Sequence, residues 1–208
     1  MQTIKGKVLA RIYGRGRGAA FSNTDFLSLG DRAAVDKTLS LLARDGVLRR
    51  LGRGIYDYPR RNPELGGQLS PDYAQVAGAL ARKLGVQIQP HGAWAANQLG
   101  LSSQVPAKIV YLTNGHPKTY RFGRQTIIFR RNAPAKFRPA DELVGLIAGA
   151  LRELGPGAVD DELRARLRRL VAGRDPKPLL RDTQYLEGWI ANLIRAALPT
   201  KSPQEKRA

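Results

Sequence analysis

The chain has 208 residues, of which 42% are apolar and 25% charged, a composition typical of a folded globular protein rather than a disordered one. Its 35 lysines and arginines outnumber its 17 aspartates and glutamates and give a net charge of +18. Such a charge favours a polyanionic partner, of which nucleic acid is the first candidate. The absence of cysteine excludes disulfide bonds, thiolate zinc sites and a cysteine nucleophile.

No targeting or membrane segment is evident near the N-terminus. Residues 1–18 carry charges throughout and lack an apolar core followed by a cleavage site, and no stretch approaches about 18 consecutive apolar residues. Together with the lack of cysteine, this predicts a cytoplasmic protein without a transmembrane span.

The first two predicted elements are short helices. Apolar residues at helical spacing predict helix 1 over residues 3–13, and alternating glycines at 14–18 end it. Ser22 followed three residues later by Asp25 is typical of a capped helix start. A short helix 2 is therefore predicted, closed by Gly30.

A third helix and a hairpin follow. Asp31 is the predicted N-cap of helix 3, which spans residues 32–44. Its apolar stripe consists of Val35, Leu39 and Leu42. Two β-type runs at residues 47–51 and 55–59 flank a glycine-containing turn at 52–54. Three short helices and a hairpin predict a winged helix-turn-helix.

The composition changes after this unit, and the domain boundaries are placed there. Residues 1–61 contain 13 basic and 5 acidic side chains, a net charge of +8. Residues 62–71 are rich in proline and glycine and are predicted to be a linker. A C-terminal domain is predicted over residues 72–198, with a disordered tail at 199–208.

The C-terminal domain is predicted to mix helices and strands. The predicted helices are at 73–84, 93–99, 140–154, 160–171 and 183–197, and the strands at 86–89, 108–113, 118–122 and 125–130. Turns at 114–115 and 123–124 favour an antiparallel arrangement. The predicted class is α+β, an N-terminal winged helix-turn-helix followed by a mixed α/β C-terminal domain with a small antiparallel sheet and helices.

The outer face of helix 3 is the main candidate binding surface. At about 100° per residue, the positions opposite the apolar stripe are Ala33, Lys37, Ser40 and Arg44, flanked by Arg32 and Asp36. Such a small, polar and basic face suits a major groove, with Arg32 reading base edges and Lys37 and Arg44 contacting phosphates or bases. An ordinary solvated helix face has the same pattern and stays an alternative.

The hairpin turn is the second candidate. Arg49, Arg50 and Arg53 surround glycines that let a backbone approach a phosphate or enter a minor groove. A basic edge hairpin protected by its charge is the alternative. Arg15 and Arg17, in the glycine loop, are candidates of the same kind, with a plain linker as the alternative. This loop is not a dinucleotide-binding motif, because Ala19 stands where glycine is needed and a helix precedes it.

Catalytic and metal-binding patterns are weak. His91 and His116 lack carboxylates at metal-ligand spacing, so neither a metal, a cofactor nor a catalytic residue is predicted. Trp94 and Trp189 are predicted core residues. The basic residues on the polar side of the predicted strands or at their ends are Lys108, Lys118, Arg121, Arg124, Arg130 and Arg131. That face could extend a DNA contact, bind an acidic partner or bind a toxin's nucleic-acid substrate, and a solvated sheet is the alternative.

Several segments together are characteristic in their order and spacing. They are IYGRGRG at 12–18, RAAVD at 32–36, LRRLGRGIYDYP at 48–59 and QVPAK at 104–108. In this arrangement, over about residues 4–171, the chain resembles the AbiEi-type antitoxins of type IV toxin–antitoxin systems. It departs from them with Asp31 where a serine cap is common, and after Pro176.

The resemblance implies two functions in one chain. A winged-helix domain would bind operator DNA and repress its own operon, and the C-terminal domain would oppose a nucleotidyltransferase-like toxin in abortive infection. The expected protein is thus a DNA-binding autorepressor and antitoxin and not an enzyme. A homodimer on DNA and direct contact with the toxin are left open. The alternatives are an RNA- or ribosome-associated protein and a nucleic-acid-processing enzyme.

Overall fold

The structure, a computed structural model, describes residues 3–132 and 141–199. The chain divides into two units. The first contains the residues up to Ile88 together with Arg121–Gly123, and the second contains Gln89–Tyr120 and the residues from Arg124 onward.

The first unit is a winged helix. In chain order it contains α1 (Ile4–Arg15), β1 (Ala20–Ser22), a 3₁₀ helix (Asn23–Leu29), α2 (Arg32–Arg44), β2 (Arg49–Gly52) and β3 (Ile55–Asp57). The three strands form an antiparallel sheet in the order β1-β3-β2. The 3₁₀ helix and α2 form the helix-turn-helix, and β2 and β3 form the wing, as predicted.

Local capping explains why the helices begin where they do. The Asp31 carboxylate accepts a hydrogen bond from the Ala34 N–H at 3.0 Å and starts α2, whose bounds match the prediction. The Ser22 N–H donates to Asp25 at 2.8 Å at the start of the 3₁₀ helix. The buried apolar core of this unit contains Val8, Ile12, Phe21, Phe26, Val35, Leu39, Leu42, Leu48 and Tyr56.

Strand β1 was not predicted from the sequence. It has only three residues, all buried, and pairs with β3 from Ala20 opposite Asp57 to Ser22 opposite Ile55. A run of three buried residues carries no alternation between apolar and polar positions, so the period of a strand cannot be recognised in it.

The predicted boundary between the domains is wrong. Residues 62–71 are not a free linker, because β4 (Arg61–Asn62) and β5 (Gly67–Gln68) pair with each other and the Leu69 N–H donates to the Arg60 carbonyl at 2.9 Å. Helix α3 (Tyr73–Leu84) also belongs to the first unit, where it packs on β1, the 3₁₀ helix and β3. Its buried face of alanine, valine and leucine is apolar surface that β1 and its neighbours cover.

Most of a four-stranded sheet lies in the second unit, and its residues Ile88, Arg121 and Phe122 belong to the first. Its strands are β6 (Ile88–His91), β7 (Lys108–Thr113), β8 (Lys118–Phe122) and β9 (Gln125–Arg131), in the spatial order β6-β7-β9-β8. Strands β7 and β9 pair in parallel, so this sheet is mixed rather than antiparallel as predicted. The physical reason is burial, because β7 and β9 each have a fully buried row and lie at the centre, whereas β8 buries no residue and lies at the edge.

Helices supply most of the second unit's core. They are α4 (Ala93–Gln98), α5 (Glu142–Leu154), α6 (Asp161–Val171), α7 (Pro176–Asp182) and α8 (Gly188–Ala197), of which α7 was not predicted. The core includes Val144, Ile147, Leu151, Leu167, Leu179, Ile190 and Ile194, with Trp189 packed against it. Trp94 is buried as predicted. The predicted first residue of α5 at 140 and the predicted tail beyond residue 199 lie outside the described residues.

Candidate nucleic-acid interface

The outer face of α2 is exposed, as its periodicity predicted. Along the core side, Val35 and Leu39 are 0% exposed. On the opposite side, four of the candidate residues are solvent-exposed, namely Ala33, Lys37, Ser40 and Arg44. The helix therefore separates a stripe that holds the fold from a basic face that is available to a partner.

Arg32 stands at the first turn of this face with little to hold it. Its side chain is 71% exposed, and its Nε lies 3.8 Å from Oδ2 of Asp36. An exposed pair of this geometry contributes about 0–1 kcal/mol, so the guanidinium can leave Asp36 for another acceptor at small cost. Oδ1 of Asp36 is already engaged, because it accepts a hydrogen bond from the Asn23 amide at 2.9 Å.

Two other cations extend the same face. Among the described residues, the Lys37 side chain has no hydrogen bond or ion pair. Arg44 at the last turn of α2 is 77% exposed and lies 3.9 Å from the Asp45 carboxylate. Both can donate to phosphate oxygens without first breaking a buried contact.

The tip of the wing presents a free arginine. Arg53 is exposed, and its guanidinium has no hydrogen bond or ion pair within the described part of the chain. Gly54 beside it has a φ of +67°, a left-handed conformation that side chains other than glycine rarely adopt. The turn therefore places one unpaired positive charge at the end of the hairpin.

Arg50 joins the wing to α2. Its Nη2 donates to Oγ of Ser40 at 3.2 Å and to Oη of Tyr56 at 2.8 Å, and its guanidinium lies 5.4 Å from the Tyr56 ring centroid. Arg50 remains exposed, so it can still donate to a partner while it holds the two candidate surfaces together.

Arg49 has a structural role that the sequence prediction missed. It donates from Nε and Nη2 to both carboxylate oxygens of Asp57, at 3.0 and 2.6 Å, and from Nη1 to the Leu69 carbonyl at 3.0 Å. The Asp57 side chain is 1% exposed. Arg49 thus neutralises a buried carboxylate, and we remove it from the candidate interface.

The two arginines of the glycine loop also make internal contacts. Nη1 of Arg17 donates to the Pro59 carbonyl at 3.0 Å, and its guanidinium lies 4.5 Å from the ring centroid of Tyr58. The Arg15 guanidinium lies 5.7 Å from the Phe21 ring centroid and stays exposed. Arg17 therefore attaches the loop to the residues that follow β3, and Arg15 has fewer internal contacts than Arg17.

Hydrogen bonds and neighbouring arginines keep the Asp25 carboxyl, in the 3₁₀ helix, in its ionised form. Burial raises the pKa of this carboxyl, but the hydrogen bonds from Arg82 and from the Ser22 N–H, with the charges of Arg82 and Arg15, lower it further. The net result is a pKa below the ordinary value of 3.8. Asp25 is therefore a carboxylate at neutral pH.

Two residues near the interface were missed by the sequence analysis. Arg82 and Lys83 lie in the last turn of α3, which was assigned to the other domain. Lys83 donates from Nζ to the Arg53 carbonyl at 2.6 Å, and Arg82 contacts Asp25, a residue 57 positions earlier. No local pattern reports pairs so distant in sequence; only the basic end of a helix could have drawn attention to them.

The second unit offers no comparable site chemistry. In the ranges 3–132 and 141–199, no group of three or more histidine, aspartate or glutamate side chains could hold a metal ion. His91 lies near two arginines and one glutamate. Burial, followed by the charges of Arg130 and Arg152, lowers the pKa of His91 below 6.5, and the charge of Glu153 opposes this shift. The six basic residues predicted on the strands or at their ends are all exposed, and one of them, Arg121, belongs to the first unit.

No helix among the described residues is long and apolar enough to cross a membrane.

Comparison with known proteins identifies the family of this chain. No curated protein matches the sequence significantly. A protein-family model matches residues 7–179, which is most of the chain and includes the whole helix-turn-helix and wing. The chain therefore belongs to DUF6088, a family of unknown function.

Proposed function

We propose that this protein binds duplex DNA through its winged helix, with α2 in the major groove and the wing against the adjoining backbone. The observation that carries the proposal is the pairing of an exposed basic face on α2 with an unpaired arginine, Arg53, at the tip of a glycine turn. The net charge of +18 supports it, because phosphate neutralisation supplies much of the affinity for DNA.

Within this interface the residues have different expected roles. Arg32 at the helix start reads a base edge, since a bidentate arginine–guanine contact discriminates by about 1–3 kcal/mol. Lys37, Arg44 and Arg53 contact phosphates, which adds affinity without sequence preference. Ala33 and Ser40 are small and let the helix approach the groove closely, and Arg50 supports the wing.

We further propose that the protein is a cytoplasmic autorepressor and antitoxin. The support is the resemblance of the four segments to AbiEi-type antitoxins, which implies an operator in the protein's own operon and a nucleotidyltransferase-like toxin as functional partner. A second unit with its own core is compatible with a separate antitoxin role.

A mobility-shift assay tests DNA binding directly. The full chain is titrated against the duplex upstream of its own operon, an unrelated duplex of equal length and a structured RNA, at three salt concentrations. We expect the upstream duplex to bind tightest, and affinity for both duplexes to fall as salt rises. Arg174→Ala, an exposed arginine of the second unit, is the control for loss of one charge. Preference for the RNA would refute the proposal.

A further inference from the structure

Helix α3 reaches the candidate interface from behind. The Arg53 carbonyl, in the turn of the wing, accepts a hydrogen bond of 2.6 Å from Nζ of Lys83. The next residue back, Arg82, donates to both oxygens of Asp25 at 2.8 and 3.1 Å and to the Ala20 carbonyl at 3.0 Å. One turn of α3 therefore holds both the wing and the 3₁₀ helix.

The wing turn and the helix-turn-helix are joined at the same place. The Asn23 N–H, at the start of the 3₁₀ helix, donates to the Gly54 carbonyl at 3.2 Å, and the Asn23 side chain donates to Asp36 of α2. A Cβ at Gly54 would lie 3.0 Å from Nζ of Lys83 and 3.2 Å from Oδ1 of Asn23. Lys83, Asn23 and Gly54 are therefore packed closely together, so a displacement of the Lys83 ammonium would displace the turn as well.

Asp36 carries the connection to the proposed base-reading residue. It accepts from Asn23 through Oδ1, and its other oxygen faces Arg32 at 3.8 Å. A continuous set of contacts therefore extends from α3 through the wing turn and Asn23 to the first turn of α2. Every residue in it belongs to the first unit.

We propose that Arg82 and Lys83 are positioning residues that set the wing against α2 and thereby determine DNA affinity without contacting DNA. This inference rests on the proposed function for its effect on binding. Lys83 uses its ammonium on a backbone carbonyl of the wing, and Arg82 uses its guanidinium on Asp25, so neither charge is directed at a phosphate.

The salt dependence of DNA binding separates positioning from phosphate contact. In the full chain, Lys83→Met keeps the aliphatic stem and removes the donor. We expect it to weaken operator binding about five- to tenfold, as loss of a charge-assisted hydrogen bond would, with the salt slope unchanged. Arg53→Ala, a proposed phosphate contact, should instead lower that slope by about one unit. Lys83→Arg should restore most of the affinity, and Lys177→Ala in the second unit is the charge control.

A measurement on the free protein keeps the inference separate from the proposed function. Amide hydrogen exchange at Asn23, which donates to Gly54, should become several-fold faster in Lys83→Met while exchange in the core of α2 stays the same. Arg82→Gln should show the same pattern. If the wild-type chain binds no duplex, the proposed function fails, yet faster exchange would still support the positioning role. Unchanged exchange, wild-type affinity, or a salt slope lowered as in Arg53→Ala would overturn the inference.

Discussion

Arg49 and Asp57 form a two-pronged ion pair across β2 and β3, with hydrogen bonds of 3.0 and 2.6 Å and an Asp57 side chain that is 1% exposed. Removing one partner of a buried pair leaves a charge without compensation, which costs about 3–5 kcal/mol. We expect Arg49→Ala to lower the free energy of unfolding of the first unit by about 3 kcal/mol, the lower end of that range, since Arg49 is partly exposed.

Chemical denaturation measures this effect. Arg53→Ala, which removes an exposed arginine from the same hairpin, serves as the control and should change stability by less than about 0.5 kcal/mol. An Arg49→Ala protein that is as stable as wild type but has lost DNA affinity would return Arg49 to the interface.

Arg32 and Arg53 should respond differently to substitution. Arg32→Ala is expected to reduce the preference for operator over unrelated DNA by about 1–3 kcal/mol with little loss on unrelated DNA, since only base contacts discriminate. Arg53→Ala should weaken both duplexes equally. Competition titrations with the two duplexes measure the ratio. Equal losses on both duplexes for Arg32→Ala would remove the base-reading role.

The revised domain boundary predicts the behaviour of fragments. Residues 1–88 should unfold cooperatively and bind duplex DNA weakly, whereas residues 1–61 should be markedly less stable. The shorter fragment exposes β1 and the 3₁₀ helix where α3 packs, and leaves the nearly buried Asp25 carboxylate without Arg82. Circular dichroism melts compare the two. Equal stability of the fragments would show that α3 is dispensable for the winged helix.

Asp25 predicts a loss of stability in acid. Its pKa is lower in the folded chain than in the unfolded chain, so its contribution is fully present above the ordinary carboxyl value of 3.8 and is lost as the pH falls through the lower folded value. Asp25→Asn should be less stable than wild type at pH 7, and the difference should shrink below about pH 4. Thermal melts between pH 2.5 and pH 7 measure it; a constant difference would contradict this role.

The proposed assignment of repression to the first unit and antitoxin activity to the second can be tested in cells. A fragment beginning at Gln89 is expected to rescue cells that express the cognate toxin while it fails to repress a promoter reporter. Lys108, Arg130 and Arg131 are exposed basic residues of the sheet. Substituting all three tests whether their positive charge contributes to the rescue. A folded fragment that does not rescue would mean that neutralisation needs the winged helix.

The sequence predicts most reliably the features that depend on a single helix and its own capping residues. Helix α2 was predicted to the residue, because its cap, its apolar stripe and its terminating glycine lie within 16 consecutive positions. The exposed face of α2 followed from the same periodicity. Arg49 was misassigned because its role depends on a buried aspartate on the next strand, and a basic residue in a hairpin is typical of both a DNA contact and an ion pair.

The errors in topology have a related cause. The proline- and glycine-rich residues 62–71 are typical of a linker, but the partners that fix them lie elsewhere in the chain, such as Arg49 for the Leu69 carbonyl. Similarly, the turns at 114–115 and 123–124 indicate where strands end but not which strands become neighbours. That choice depends on which strands have the most apolar surface to bury.

The parallel pairing of β7 with β9 has a kinetic consequence. Strand β8 and its neighbour β9 are separated by a two-residue turn, so they can meet early, whereas β7 can join only after the intervening chain has looped back. On refolding from denaturant, we therefore expect the amide hydrogens of β8 and β9 to become protected together, and those of β7 to become protected only later, when β7 joins the sheet beside β9.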